Sequence, residues 1–280
     1  MHKKLKAGCK VFNGLAKNKP VNLLRIFQYI FLMALPAILS VTSCSEAGSF
    51  ARSIERASGK DAYLQHDIFS ARIQLTFGGK EIIFGNMFIE TRGDRSRFEF
   101  DNGEVMLFDG KNAYASSNEL ISRLPRIRFE VLTWPYFLEL PFKLNDPGVN
   151  LQTLGSKTMN GNLIPSARLT FSAGVGDTSE DWYILYRNPQ SKLLQAAAYI
   201  VTYGQSVEDA QKEPHAIVYS KYREIGNVQI ATEWNFHNWT LEDGIMGRAI
   251  GHASLSQLKF VSYNSVSFIA PGEYILATLP

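Results

Sequence analysis

No cysteine follows residue 44 in this 280-residue chain. Its only two, Cys9 and Cys44, lie within and at the end of an N-terminal leader. The remainder therefore has no disulfide framework and no thiolate metal site, and its fold rests on an apolar core alone. Also missing are His-Glu-x-x-His, Cys-x-x-Cys, Gly-x-Ser-x-Gly and a phosphate-cradling glycine loop. With them go the usual residue spacings for zinc, thiol, serine and nucleotide chemistry, so no catalytic residue, metal or cofactor is assigned. A basic excess is missing too once the leader is set aside. Seven of the 29 Lys/Arg and none of the 26 Asp/Glu precede Cys44, which leaves 22 bases against 26 acids. A nucleic-acid partner needs a clustered basic footprint on the folded part, and the composition supplies none. A second apolar run of membrane-crossing length, an internal repeat and a low-complexity tract are likewise absent.

The leader itself has the cationic, apolar and small-residue parts of an export signal. Its apolar run, Ile26 to Val41, is 16 residues long, short of the roughly 20 that cross a bilayer as a helix. The closing Val41-Thr42-Ser43-Cys44 resembles a bacterial lipobox, whose cysteine is lipidated and becomes the new N-terminus. Residues 1–43 then read as a lipoprotein signal peptide, Cys44 as the lipidation site and 44–49 as a lipidated tether. An uncleaved signal anchor and an ordinary secretory signal cut near Cys44 are the alternatives. Two acyl chains hold a protein at a membrane where one does so only marginally. The expected address is the bacterial cell envelope, by a lipid anchor at the outer membrane, facing periplasm or exterior.

After the tether, Phe50, Ile54 and Ala57 recur at helical spacing up to Gly59, an amphipathic helix. From Ile68 the period becomes two: Ala71, Ile73, Leu75 and Phe77 alternate with Arg72, Gln74 and Thr76, a half-buried strand. Gly78-Gly79, Asn102-Gly103 and Asp109-Gly110 then punctuate short apolar runs, each able to supply the positive φ of a tight hairpin. The meander breaks at Leu124 to Leu144. There Ile127, Val131, Trp134 and Leu138 share a helical face, Pro125 suits a first turn, and Pro135 predicts a break into two pieces. Strand patterning resumes from Val149 through Val261. In Val228 to Phe236, the residues Val228, Ile230, Thr232, Trp234 and Phe236 share one face. Gly204 to His215 reads as an exposed polar loop. The fold class is mainly β with added α: a curved antiparallel sheet forming an open or half β-barrel, covered by a few short helices, as one domain over residues 50–280.

This order of helix, meander, proline-bearing aromatic helix and second meander resembles the LolA/LolB-like superfamily of half-barrel proteins, which bind lipoprotein acyl chains in the bacterial envelope. The local matches are Trp134-Pro135-Tyr136-Phe137-Leu138-Glu139-Leu140-Pro141-Phe142 and Tyr186-Arg187-Asn188-Pro189-Gln190-Ser191-Lys192-Leu193. The likeness runs loosely from Phe50 to Val261 and is greatest to a family of secreted bacterial proteins of this fold. It implies an apolar concave face, capped by helices, that takes up a lipid or another hydrophobic ligand.

Trp134, Phe137, Phe142, Trp182, Trp234 and Trp239 are the candidates for such a groove, since large aromatics cover apolar area and an indole N–H can meet a polar head group. The same six also suit a plain core between sheet and helices. Of the histidines after the leader, His237 is the foremost general-base candidate, with Glu233 and Glu242 near it in sequence. Two readings result. One is a membrane-tethered lipoprotein that binds or carries a hydrophobic ligand. The other is an envelope interaction module with a self-filled core, which binds protein or glycan through its loops.

Overall fold

The computed structural model describes residues 46–278. The leader, the Val41 to Cys44 motif and Cys44 itself lie outside the described residues. The chain opens with helix α1 over 46–58, which takes in residues 46–49 of the polar stretch. It ends at Gly59, whose φ of 81° turns the backbone into the short α2, Lys60–Tyr63. A Cβ at Gly59 would lie 2.1 Å from the Asn227 carbonyl oxygen, so both the φ and the close approach require glycine. Phe50 and Ile54 bury the inner side of α1.

Five strands follow: β1 Ile68–Phe77, β2 Lys80–Glu90, β3 Ser96–Phe100, β4 Val105–Phe108 and β5 Ala113–Ala115. Gly78-Gly79, Asn102-Gly103 and Asp109-Gly110 stand at their turns, and all four glycines have positive φ. After helices α3 Asn118–Arg123 and α4 Ile127–Glu139 and a 3-10 turn at Leu140–Phe142 come β6 Val149–Met159, β7 Asn162–Phe171, β8 Trp182–Arg187 and β9 Leu194–Tyr199. The short α5, Val207–Ala210, interrupts the polar loop before β10 His215–Ile225, β11 Val228–Thr240, β12 Gly244–Val261 and β13 Ile275–Ala277. All pair antiparallel in one 13-stranded sheet of order β13-β5-β4-β3-β2-β1-β12-β11-β10-β9-β8-β7-β6. The sheet does not close into a barrel.

Two meanders thus meet where β1 pairs with β12, from Ile68 opposite Val261 to Phe77 opposite Gly251. The helical segment must lead from β5, near one edge, to β6 at the other, and so it passes over one face. Register shifts at Ser70/Arg72, Leu75/Thr76 and Thr153/Gly155 supply the local bends that curve the strands. No described helix is long and apolar enough to cross a membrane.

Against the expectation of a break at Pro135, α4 runs through it as one 13-residue helix. Proline has no N–H to give the carbonyl four residues back, that of Val131. The Ser96 hydroxyl, reaching across from β3, donates to that carbonyl at 2.5 Å instead. Pro125 also departs from expectation: it precedes the N-cap, Arg126, and lies between α3 and α4. The predicted stripe of Ile127, Val131, Trp134 and Leu138 is buried throughout.

Most of the core lies between the sheet and the helices, including all five residues of the Val228 to Phe236 face. A second cluster occupies the other face, formed by Met159, Ile164, Ile184, Tyr186, Ala196, Ala198, Ala216 and Trp239. In β8, Tyr183 and Leu185 enter the first core while Ile184 and Tyr186 enter the second. Burial on both sides explains why β8 and β9 are mostly apolar rather than alternating, with only Gln195 and the terminal Arg187 interrupting them.

Candidate functional site

One cleft lies between α4 and the wing formed by β6, β7 and β8. Phe129, Leu132, Thr133, Tyr136 and Phe137 line it from the helix, and Val149, Phe171 and Tyr183 from the sheet. Its volume is about 470 Å³. That lies within the roughly 300–1,000 Å³ usual for small-molecule pockets.

Tyr136 is part of its wall. Its ring packs against those of Phe171 and Tyr183, with centroids 6.2 Å and 5.7 Å away. Its hydroxyl is buried and has no hydrogen-bond partner. Burial pushes the phenol pKa well up, helped by the charges of Asp146, Asp181 and Glu139. A buried hydroxyl without a partner costs free energy, and because it is closed off from the cleft a ligand atom meets it only after a neighbouring side chain shifts.

One end of the cleft is ionic. Buried Glu139 accepts a 2.9 Å hydrogen bond from the Tyr63 hydroxyl. Burial raises its pKa to about 7, partly offset by Lys143 and by the Tyr63 bond. The Lys143 ammonium lies 3.8 Å from Glu139, 3.8 Å from Asp94 and 4.0 Å from Asp146. Burial alone would lower its pKa, but these carboxylates raise it above the usual lysine value. At the mouth, Arg128 of α4 grips Asp177 of the β7–β8 loop with two bonds, Nε to Oδ2 at 2.5 Å and Nη2 to Oδ1 at 2.8 Å. Asp181 anchors the same loop by accepting from Thr202 N, Thr202 Oγ1 and Thr178 Oγ1 at 2.7 to 2.8 Å.

The six candidate aromatics divide between the two faces. Trp134, Phe137, Phe142 and Trp234 lie in the core under the helices, and of these Phe137 borders the cleft. Phe142 stacks on Tyr63 with ring centroids 4.4 Å apart. Trp182 and Trp239 belong to the opposite face, their rings edge-on at 6.0 Å. Three indole N–H groups are already used: Trp134 donates to Glu130, Trp234 to the Ala231 carbonyl and Trp239 to the Tyr186 hydroxyl. None of those three is free for a head group.

His237 and Glu233 do not form a pair. Glu233 binds His252, at 2.9 Å from Nε2, and His252 Nδ1 lies 3.1 Å from Asn235 Oδ1. His237 Nδ1 is buried without a partner. Among the described residues no group of three or more His, Cys, Asp or Glu is placed to hold a metal.

Tyr136, Phe171, Tyr183 and the Arg128–Asp177 pair were not singled out by the sequence. One signal was available on α4: Phe129, Leu132 and Tyr136 form an apolar stripe beside the buried one, at i, i+3 and i+7.

No family model matches the chain, and no curated protein matches it significantly. Several solved structures are similar. A DUF1329 family protein from Desulfovibrio piger aligns with a TM-score of 0.50 at 13% identity, over 76% of this chain and 92% of its own. A LolA superfamily protein from Nitrosomonas europaea gives 0.49 at 13%, over 76% and 94%. A putative outer membrane lipoprotein-sorting protein domain from Vibrio parahaemolyticus gives 0.48 at 12%, over 76% and 94%. At such identities the likeness is one of fold alone, an open antiparallel sheet covered by a few helices, like that of the DUF1329 family protein.

Proposed function

We propose that the chain is a bacterial envelope lipoprotein, anchored through Cys44, that binds a small hydrophobic ligand in the cleft beside α4. The observation that carries this reading is the cleft of about 470 Å³ with a mostly apolar surface, behind whose wall the Tyr136 hydroxyl is buried without a partner. Such pockets are mostly apolar, with few polar groups to set orientation. The size suits a small ligand. The charges support a neutral head: Asp146, Asp181 and Glu139 all act on Tyr136, and a ligand carboxylate beside them would be repelled. An ester, amide or alcohol can instead exchange a hydrogen bond with the phenol.

The test is titration with a dansyl-labelled undecanamide and the matching undecanoate at pH 8, following energy transfer from tryptophan. Saturable uptake of the amide is expected, with the carboxylate weaker. Tyr136→Phe removes one neutral hydrogen bond, about 1 kcal/mol, and should weaken the amide about fivefold. Leu132→Trp should block the cleft. No saturable uptake, or uptake indifferent to Leu132→Trp, would sink the proposal.

A further inference from the structure

The outer face carries a second cleft. It is wider, about 870 Å³, and lies where the β6–β7 ribbon, the β11–β12 hairpin and the end of the polar loop converge. Its apolar floor includes Trp182, Trp239, Ile184 and Leu154. The loop contributes Gln211 to His215, so the exposed polar segment and the two outer tryptophans meet at one place.

The charge here runs against the rest of the body. Lys157, Arg168 and Lys212 line the cleft, with Glu213 the one acid among its lining residues. Lys212 is paired with Asp209 at 2.6 Å. Lys157 and Arg168 form no ion pair and no side-chain hydrogen bond among the described residues. Arg168 instead lies over the Trp182 ring, 5.3 Å from its centroid. In the ribbon Lys157 stands opposite Ile164, four residues along β7 from Arg168. At about 3.4 Å per residue their backbone positions are about 14 Å apart along the ribbon, and both side chains line the same cleft.

The strands bearing Arg168, Trp182 and Trp239 are each paired on both sides, so their backbone groups are spent and recognition falls to side chains. An added peptide strand gains no backbone hydrogen bonds over β7, β8 and β11. A saccharide's hydroxyls suit the polar rim of Gln211, Asn238 and Thr240, and its acidic substituents suit arginine and lysine. We infer that the outer cleft is a second binding site, distinct from the one beside α4, for an anionic oligosaccharide whose acidic groups contact Lys157 and Arg168.

The test is calorimetry of the full chain in neutral phosphatidylcholine nanodiscs. The probes are an oligogalacturonate, a phosphorylated mannose oligosaccharide, a neutral malto-oligosaccharide of equal length and a polyglutamate peptide. Saturable binding of at least one acidic saccharide is expected, falling with salt and at least tenfold weaker in K157Q/R168Q, whose substituted side chains lie outside both cores. Leu132→Trp should leave it unchanged, which separates failure here from failure of the cleft beside α4. The inference is overturned if no acidic saccharide binds, if the neutral one or polyglutamate binds as tightly, or if K157Q/R168Q binds like the wild type.

Discussion

Replacing Glu139 by glutamine should change how stability depends on pH. Glu139 is 4% exposed, and burial raises its pKa from 4.5 to about 7. Between those values the folded state holds a proton that the unfolded chain has released. Stability therefore falls as pH rises through that window and is constant above it. Each tenfold of proton affinity is about 1.4 kcal/mol, so the full loss is roughly 3 kcal/mol, a large share of the 5–15 kcal/mol typical of a domain. Glutamine does not titrate and can still accept from the Tyr63 hydroxyl. In urea unfolding at pH 4.5, 6, 7 and 8, E139Q should gain on the wild type steadily, by up to about 3 kcal/mol at pH 8. Glu130, also raised by burial, to about 6, titrates in both proteins and cancels in the difference. A difference flat across the series would refute the reasoning, because it would mean that Glu139 titrates as an ordinary carboxylate.

Ser96→Ala should cost about 1–3 kcal/mol by leaving the Val131 carbonyl unpaired. Pro135→Ala restores an N–H to that carbonyl, so denaturation of the double variant should show the two changes costing less together than separately. Asp177→Asn weakens the grip of Arg128 across the cleft mouth, and stopped-flow release of the undecanamide probe should speed up several-fold; an unchanged release rate would free the β7–β8 loop from any gating role. Cys44→Ser should leave the leader uncut, seen as a heavier band in membrane fractions, whereas normal processing of this variant would overturn the lipoprotein assignment.

Local structure was legible wherever one physical period ruled a segment. In β1, buried and exposed positions alternate from Ala71 to Thr76, and glycine turns marked β1–β2, β3–β4 and β4–β5 because little else tolerates their φ. The half-barrel followed from strands that bury one face. What failed was the local rule at Pro135, since its remedy is a hydroxyl on β3, 39 residues earlier in sequence. No reading of the helix alone contains Ser96.

The six aromatics show the same limit for function. Residue type placed them in apolar surroundings, and all six line one core or the other, but type carries no sign for which face of a sheet a side chain takes. That sign comes from register, and β8 buries both its faces, so Trp182 and Tyr183 look alike in sequence and point apart in space. Tyr136 was hidden for a related reason. Beside Trp134 and Phe137 it reads as one more core aromatic, and what distinguishes it is a missing partner, a property of its surroundings and not of its identity. The sequence separates greasy from polar; whether a buried polar atom is satisfied, and hence where a ligand is wanted, is decided only when β6 to β8 and α4 are brought face to face.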